Sequence, residues 1–173
     1  MTSGVRVVGP QDGESGSLGS IGVRFMIDGA DVQDRGFALV EHPLPPRALA
    51  APLHRHTRED EYSYVLTGRM GAMLGDDVVE AGPGDLVFKP RDQWHTFWNA
   101  GDEPASILEL IAPAGFEEFF RTLSRADAAG NDVGGEQLAE LAALYGLEFD
   151  FDSIDMLCAR FGLTVVETAP PAL

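Results

Sequence analysis

Three histidines and a glutamate stand at spacings from which they could bind one metal ion. His54 and His56 are separated by one residue. In a β-strand, two such side chains point to the same face, with Cα atoms about 7 Å apart. Glu61 follows shortly after His56, and His95 lies in a later apolar segment beyond Pro90. Imidazole and carboxylate groups are ligands of divalent transition metals, so this pattern indicates a metal site.

Glu61 needs a break in the strand if it is to face the same way as the histidines. Strict alternation from His56 would place Glu61 on the opposite face. The polar segment 57–60 can form a turn that resets the alternation, and Glu61 then faces inward together with Ser63. Glu59 and Asp60 could compete with Glu61 as ligands, and a solvated turn is the other interpretation of these two residues.

Short strands separated by turns must position these side chains. Up to residue 113, Gly and Pro recur every eight to twelve positions, a pattern typical of a β-sandwich or a β-barrel. The predicted strands are the apolar or alternating segments 5–8, 21–27, 37–41, 62–66, 70–74, 85–88, 95–98 and 105–112. The segment 12–20 is rich in Gly and Ser and is predicted to be a loop or an arm.

The hydrophobic period becomes helical after residue 113. Apolar side chains then follow the spacing of an amphipathic helix, namely Phe116, Phe119, Phe120 and Leu123. This aromatic stripe could close the mouth of the barrel or pack on its wall. Two further helices are predicted to end at the similar segments 141–147 and 157–163, where Gly can take the left-handed turn. We therefore expect a β-barrel domain with an N-terminal arm over 1–113 and a helical extension packed on it over 114–173.

Two segments resemble the sequence motifs of the cupin superfamily. Residues 54–68 have the form His-x-His-x4-Glu-x6-Gly, and residues 84–99 have the form Gly-x5-Pro-x4-His-x3-Asn. Fifteen residues separate the two segments, as in compact members of the superfamily. The motifs span residues 54–99 and the strand pattern spans residues 1–113, so the helical extension lies outside the resemblance.

This resemblance implies a mainly β fold, the double-stranded β-helix or jelly-roll barrel, with a C-terminal helical extension. It also implies that His54, His56, Glu61 and His95 are the ligands of one metal ion. Ala48 and Asp92 occupy positions where the family has glycine. Because both positions fall in expected turns, they affect local loop geometry more than the ligand set. The alternative is a barrel that has lost its metal and keeps these four side chains as satisfied polar residues.

The implied ligand set narrows the chemistry. Three neutral imidazoles and one carboxylate suit Fe, Ni, Mn, Co, Cu or Zn, and four ligands on an octahedral ion leave two positions open for a substrate. We expect a metal-dependent enzyme that acts on a small, oxygen-bearing organic substrate, above all a dioxygenase, since the chain resembles quercetin dioxygenase-type cupins. A non-redox isomerase or cyclase and a non-catalytic small-molecule-binding cupin are the alternatives.

Two carboxylates are candidate catalytic residues, Glu61 and Glu109. Glu61 would be both a ligand and a proton acceptor. Glu109 lies mid-strand among aliphatic residues, where burial would raise its pKa and suit it to general acid–base catalysis; a rim position facing water is the alternative. His42 matches no motif position and is predicted to be a packed or a surface histidine. The residues expected to line the substrate pocket are Phe97, Phe88 and Met73.

Composition excludes several classes of function. The 173 residues include 12 Lys and Arg against 28 Asp and Glu, a formal net charge of −16. This charge repels nucleic acids and anionic membranes, so we expect neither as a partner. Cys158 is the only cysteine, which excludes an internal disulfide and a thiolate-rich metal site. We expect a cytoplasmic protein. We also expect a homodimer, because a second subunit commonly covers the strand edges of such barrels.

Overall fold

The structure, a computed structural model, describes residues 5–29, 31, 36–131 and 133–165. These residues form two antiparallel β-sheets and three α-helices. In spatial order, the six-stranded sheet contains β1 (Ser15–Leu18), β2 (Ile21–Ile27), β3 (Ala38–Leu44), β10 (Ala105–Ala112), β5 (Asp60–Thr67) and β8 (Leu86–Lys89). The five-stranded sheet contains β11 (Leu147–Asp150), β4 (Leu53–His56), β9 (His95–Asn99), β6 (Met70–Leu74) and β7 (Asp77–Ala81). The helices are α1 (Glu117–Ala128), α2 (Gly135–Leu144) and α3 (Ser153–Phe161). The mainly β prediction with a C-terminal helical part is therefore confirmed.

Alternation along the strands divides inward from outward side chains. In β10, Ile107, Glu109 and Ile111 are buried, whereas Leu108 and Leu110 between them point to the outer face of the sheet. The neighbouring strand β5 is in register with β10, so that Ser63 lies opposite Glu109. The interior holds an apolar cluster that includes Leu44, Val65, Met70, Phe97 and Ile107. Polar side chains occupy the rest of the inner surface, as described below.

The N-terminal predictions were wrong in two respects. Residues 5–8 form no strand, and Val5 and Val7 are 101% and 83% exposed. Alternating valines form a strand only where a neighbouring strand can pair with them, and these have none. Conversely, the predicted loop 12–20 contains β1, which pairs with β2 over the register Ser15↔Arg24 to Leu18↔Ile21. Pairing with a neighbour overrides the low strand propensity of a Ser- and Gly-rich segment.

The C-terminal extension contains a strand as well as helices. The predicted helices are present as α1, α2 and α3, but β11 lies between the last two and pairs with β4. Its register places Leu147 opposite His56 and Phe149 opposite His54. Gly146, with φ of 73°, follows the end of α2 and turns the chain into this strand. The domain boundary at residue 113 stays a prediction, and residues 1–4 and 166–173 of the two predicted domains lie outside the described residues.

Helix α3 packs on the outer side of the five-stranded sheet. Trp98 stacks on Phe161 with ring centroids 4.4 Å apart, and Leu157 is fully buried in the same cluster. Gly71 leaves space for the indole, because a Cβ there would lie 2.2 Å from Trp98 Nε1. Trp98 therefore packs beneath α3, away from the cavity interior. No helix in the described part of the chain is long and apolar enough to cross a membrane. The cytoplasmic location stays a prediction.

Candidate metal centre

The four predicted ligands converge in the interior of the barrel. Strand β4 carries His54 and His56, and His95 on β9 lies directly opposite His54 in the ladder. Glu61 comes from β5, in the other sheet, so the cluster joins the two sheets. One potential ligand atom from each side chain lies within 4.8 Å of all the others, and all four residues are buried. Residues 57–59 lie outside the strands, so the alternation is reset before Glu61 as predicted.

Backbone hydrogen bonds orient two of the imidazoles. The Nδ1 atoms of His54 and His95 donate to the carbonyl oxygens of Pro52 and Gln93, each at 2.9 Å. Because Nδ1 carries the proton in both rings, the lone pair is on Nε2. Burial, followed by the neighbouring imidazoles, holds the pKa of His54 well below its usual range. Burial likewise lowers the pKa of His56 to about 4. The rings of His54 and His56 are therefore neutral at pH 7, and the neutral imidazole is the form that binds metals.

The unpartnered atoms of His56 test whether the cluster fits an ion. Both ring nitrogens of His56 are buried and lack a hydrogen-bond partner in the described part of the chain. Leaving buried nitrogens unpaired is costly unless another group satisfies them. His56 Nε2 lies 3.5 Å from Glu61 Oε1, and His95 Nε2 lies 3.3 Å from Glu61 Oε2. Three imidazole nitrogens and one carboxylate at these separations can bind one divalent transition metal ion, and they do not select among Fe, Ni, Mn, Co, Cu and Zn.

The neighbouring acidic residues have other roles. Asp60 accepts hydrogen bonds from Arg91 at 2.8 Å and belongs to a surface ion pair. Glu59 is buried next to His56, with Oε2 3.9 Å from Nδ1, and burial raises its pKa to about 7. Neither residue belongs to the cluster, which takes its carboxylate from Glu61.

A buried lysine, which the sequence analysis missed, connects the two candidate catalytic carboxylates. Lys89 is the only lysine of the chain, and its Nζ lies 3.0 Å from Glu61 Oε2 and 3.0 Å from Glu109 Oε2. It also lies 4.6 Å above the ring of Phe97. Burial would lower the pKa of Lys89, but Glu109 and Glu61 raise it. Burial would raise the pKa of Glu61, but His56 and Lys89 hold it well below the usual range.

The sequence contained a pattern from which the inward position of Lys89 could have been predicted. Lys89 directly precedes Pro90 of the second motif, whereas the predicted strand stopped at Phe88. Extending the strand by one residue places Lys89 on the face opposite Phe88. Because lysine is rarely buried without a partner, however, a strand-end lysine is ordinarily assigned to the surface.

Glu109 is buried, not at the rim. Its Oε2 accepts hydrogen bonds from Ser63 Oγ at 2.7 Å and from Lys89 Nζ at 3.0 Å. Its Oε1 is buried and has no hydrogen-bond partner in the described part of the chain. Burial raises the pKa of Glu109 to about 7 although Lys89 opposes the shift. The carboxyl group can therefore hold or release a proton near neutral pH.

An apolar cavity of about 320 Å³ adjoins the cluster. Its wall includes His54, His56, Glu61 and Glu109. The apolar part of the wall comes from the stripe at the start of α1, from β11 and from the turn after β11: Phe116, Phe119, Phe120, Leu123, Leu147, Phe149 and Phe151. The Phe116 ring is 4.3 Å from the His56 ring. The stripe thus packs on the barrel and lines the cavity, and its role in closing the mouth stays a prediction.

Of the three predicted pocket residues, one lines the cavity and two lie elsewhere. Phe97 lines the cavity as predicted. Phe88 was assigned to the wrong face: it is 48% exposed and stacks on Tyr62 outside the barrel, because Lys89 takes the inward direction. The prediction that Met73 lines the pocket was also wrong, since Met73 packs with Trp98 beneath α3. A shift of one residue in the assumed register reverses the face of every side chain in a strand.

The two departures from the family glycines leave the site intact. Asp92 adopts φ of 64°, the left-handed conformation that glycine favours and that Asp tolerates. Its N–H donates to the His56 carbonyl at 2.7 Å and so connects this turn to the ligand strand. Ala48 is buried, and its N–H donates to Pro45 O at 3.2 Å.

Comparison with known proteins agrees with this geometry. The family described as "Cupin domain" matches residues 41–111. The polyketide cyclase RemF from Streptomyces resistomycificus is 30% identical, with 62% of this chain and 78% of RemF covered at a TM-score of 0.52. A predicted oxalate decarboxylase from Thermotoga maritima is 19% identical over 61% and 97% of the two chains, with a TM-score of 0.57. A cupin sugar phosphate isomerase from Silicibacter pomeroyi is 21% identical over 61% and 74%, with a TM-score of 0.53.

The last two similarities show the fold alone, whereas the match to RemF is also a similarity of sequence. No curated protein has a matching sequence. The family match covers the strands that carry all four side chains of the candidate metal centre. With its two-sheet barrel and its complete ligand set, the chain belongs to the cupin superfamily.

Proposed function

We propose that this protein is a metal-dependent, non-redox enzyme that isomerises or cyclises a neutral, oxygen-bearing aromatic substrate. The observation that carries the proposal is the position of a three-histidine, one-glutamate cluster in the wall of an apolar, largely aromatic cavity of about 320 Å³. Cavities of this kind, with few convergent polar groups, are the usual sites of small-molecule chemistry. A divalent ion bound there would act as a Lewis acid that polarises a substrate carbonyl.

The cavity wall favours an uncharged substrate. No Lys or Arg side chain is among the described residues that line it. Lys89 lies behind this wall, and both of its neighbouring carboxylates already occupy it. Apart from the metal ion itself, a phosphate would therefore meet Glu61, Glu109 and Asp127 without a free side-chain cation. Aromatic side chains such as Phe116 and Phe149 instead suit a planar ring system.

We assign the proton transfer to Glu109. Its Oε1 has no hydrogen-bond partner among the residues that the structure describes, burial raises its pKa to about 7, and it belongs to the cavity wall. A group with these properties can take a proton from a substrate carbon next to a carbonyl and return it at another atom. Glu61 is a poorer proton acceptor, because Lys89 and His56 hold its pKa well below the usual range. We therefore propose Glu61 as a ligand, and its role as a base stays a prediction.

The likeness to RemF supports cyclisation in particular. That protein is a polyketide cyclase, and 30% identity over 78% of its length is the greatest sequence similarity among the structures compared above. Ring closure by aldol addition joins an enolate carbon to a carbonyl carbon, and loss of water followed by enolisation of the remaining carbonyl groups then gives an aromatic ring. The net reaction needs no oxidant, and one proton acceptor such as Glu109 can serve both stages.

The test is turnover under argon. Protein loaded separately with Zn, Mn, Fe, Ni, Co or Cu would be incubated with linear poly-β-carbonyl compounds and with oxygenated polycyclic aromatics. We expect products of unchanged mass, or of mass reduced by one water. His54→Ala should lose both the metal and the conversion. Glu109→Gln should lose the conversion but retain the metal. Metal retention would be measured by elemental analysis of the same samples.

The opposite result would identify one of the other candidates. A dioxygenase is the second candidate, because four protein ligands leave positions on an octahedral ion for a substrate and dioxygen together. It predicts conversion only in air, with oxygen consumed in proportion to product. Tight binding of aromatics without conversion by any loaded form would instead indicate a non-catalytic binding cupin.

We also propose that two copies associate through the outer face of the six-stranded sheet. That face carries a continuous apolar patch that reaches the edge strand β8: Leu39, Tyr62, Tyr64, Leu86, Phe88, Leu108 and Leu110. An apolar face lets copies that each carry a charge of −16 associate without bringing their acidic side chains together. Sedimentation velocity should show a dimer, and Leu86→Glu should give a monomer. Leu144→Glu, an exposed leucine on α2, is the control that should remain dimeric; a monomeric wild type contradicts the proposal.

A further inference from the structure

The cavity wall contains a further histidine, separate from the metal centre and from Glu109. His42 lies on β3, outside both sequence motifs, and contributes to the cavity wall. It is 1% exposed, so the prediction of a packed histidine is confirmed. Packing does not satisfy the whole ring, however, and the two nitrogens of His42 differ in their surroundings.

One ring nitrogen is held by the backbone and the other is not. Nδ1 lies 2.9 Å from the carbonyl oxygen of Gly22, and since a carbonyl only accepts, Nδ1 carries the proton. Nε2 is therefore a hydrogen-bond acceptor, and it has no partner in the described part of the chain. The hydrogen bond at Nδ1 also fixes the rotation of the ring.

The surroundings of His42 are largely apolar and keep its ring neutral. The ring contacts Phe120 edge-on at a centroid distance of 5.3 Å and lies 6.3 Å from Phe97. Burial lowers the pKa of His42 to about 4, so the imidazole is uncharged at pH 7. Nε2 is thus an acceptor without a partner among the described residues, in an otherwise largely apolar part of the cavity wall, and a ligand that can donate a hydrogen bond there is preferred to one that cannot.

We propose that His42 is a specificity-determining residue, whose Nε2 accepts a hydrogen bond from a hydroxyl group of the aromatic substrate. This inference rests on the proposed function, because it assumes an aromatic ligand in the same cavity. It adds a recognition point that does not involve the metal. The substrate must then present a hydroxyl donor on the part of its ring system that faces β3, in addition to the oxygen that meets the metal centre.

The test compares two probes that differ in one group. 2-Naphthol donates a hydrogen bond, whereas 2-methylnaphthalene has the same shape and cannot. Dissociation constants for both would be measured by fluorescence titration on the metal-loaded full chain. The preference for naphthol should fall about tenfold in His42→Phe relative to the wild type. It should be largely retained in His42→Gln, whose amide oxygen also accepts. If His42→Phe does not fold, His42→Leu replaces it with the same expectation.

Two control variants separate the other possible acceptors. In His54→Ala, which removes a metal ligand, and in Glu109→Gln, the preference should persist if His42 is the partner. A preference that is unchanged in His42→Phe but lost in either control would overturn the proposal, with aromatic binding intact. If neither probe binds the wild type, the aromatic substrate class itself is wrong, and both proposals fail together.

Discussion

Removal of the buried lysine is the most direct test of how the interior charges are balanced. Lys89→Met keeps the volume and deletes the ammonium group that lies 3.0 Å from Glu61 and 3.0 Å from Glu109. The two carboxylates then share a buried region with no side-chain cation between them. Breaking a buried ion pair by removing one partner costs about 3–5 kcal/mol. We expect a loss of this size in the free energy of unfolding at pH 8, without added metal.

The size of the loss should depend on pH and on the second carboxylate. In the wild type burial raises the pKa of Glu109 to about 7 although Lys89 lowers it, so without Lys89 the carboxyl group is protonated at a still higher pH. Protonation relieves the repulsion, and the loss should therefore shrink as the pH falls from 8. The double variant Lys89→Met, Glu109→Gln removes one of the two carboxylates and should recover roughly half of the loss, about 2 kcal/mol. Bound metal should also reduce the loss in the free energy of unfolding, because the ion supplies positive charge next to Glu61.

Urea denaturation followed by tryptophan fluorescence gives these free energies. Arg69→Met is the matched control, since it breaks an ion pair with Glu80 in which both side chains are more than half exposed, and it should change stability little. A loss in Lys89→Met no greater than in Arg69→Met, with no recovery in the double variant, would refute the reasoning about buried charge.

Three further predictions concern metal, pH and packing. His56→Ala should abolish stoichiometric metal in elemental analysis, and retention of one ion per chain would exclude His56 as a ligand. Because the pKa of Glu109 is raised above its ordinary 4.5 to about 7, its contribution to stability is present below pH 4.5 and is lost as the pH rises towards 7. The free energy of unfolding of the wild type should therefore fall relative to Glu109→Gln across that range, and parallel curves would contradict the assignment. Gly71→Ala places a Cβ 2.2 Å from Trp98 Nε1 and should cost about 1–3 kcal/mol, whereas Gly82→Ala, with 3.9 Å to its nearest neighbour, should be close to neutral in the same thermal or urea melts.

Local patterns in the sequence predicted the barrel and its metal-binding side chains. His54 and His56 alternate on one strand, and a polar turn restores the phase before Glu61, so short-range spacing suffices to orient all three. The motif around His95 adds the fourth ligand. Helix α1 was also predictable, because a helical period is a property of neighbouring residues and needs no partner. In the structure, these four side chains and helix α1 have the orientation that the spacing predicts.

Contacts between distant segments decided the rest, and no local pattern contains them. Lys89 is buried because Glu61 and Glu109, from two other parts of the chain, neutralise it. Strand β11 forms because its backbone can pair with β4, and so the extension reaches the ligand histidines. Phe88 and Met73 turned outward because a strand reverses the direction of its side chains at every residue, and only its pairing with neighbours determines which set faces the interior. The sequence by itself determined which groups could bind a metal, and tertiary pairing decided which charges and aromatic rings surround them.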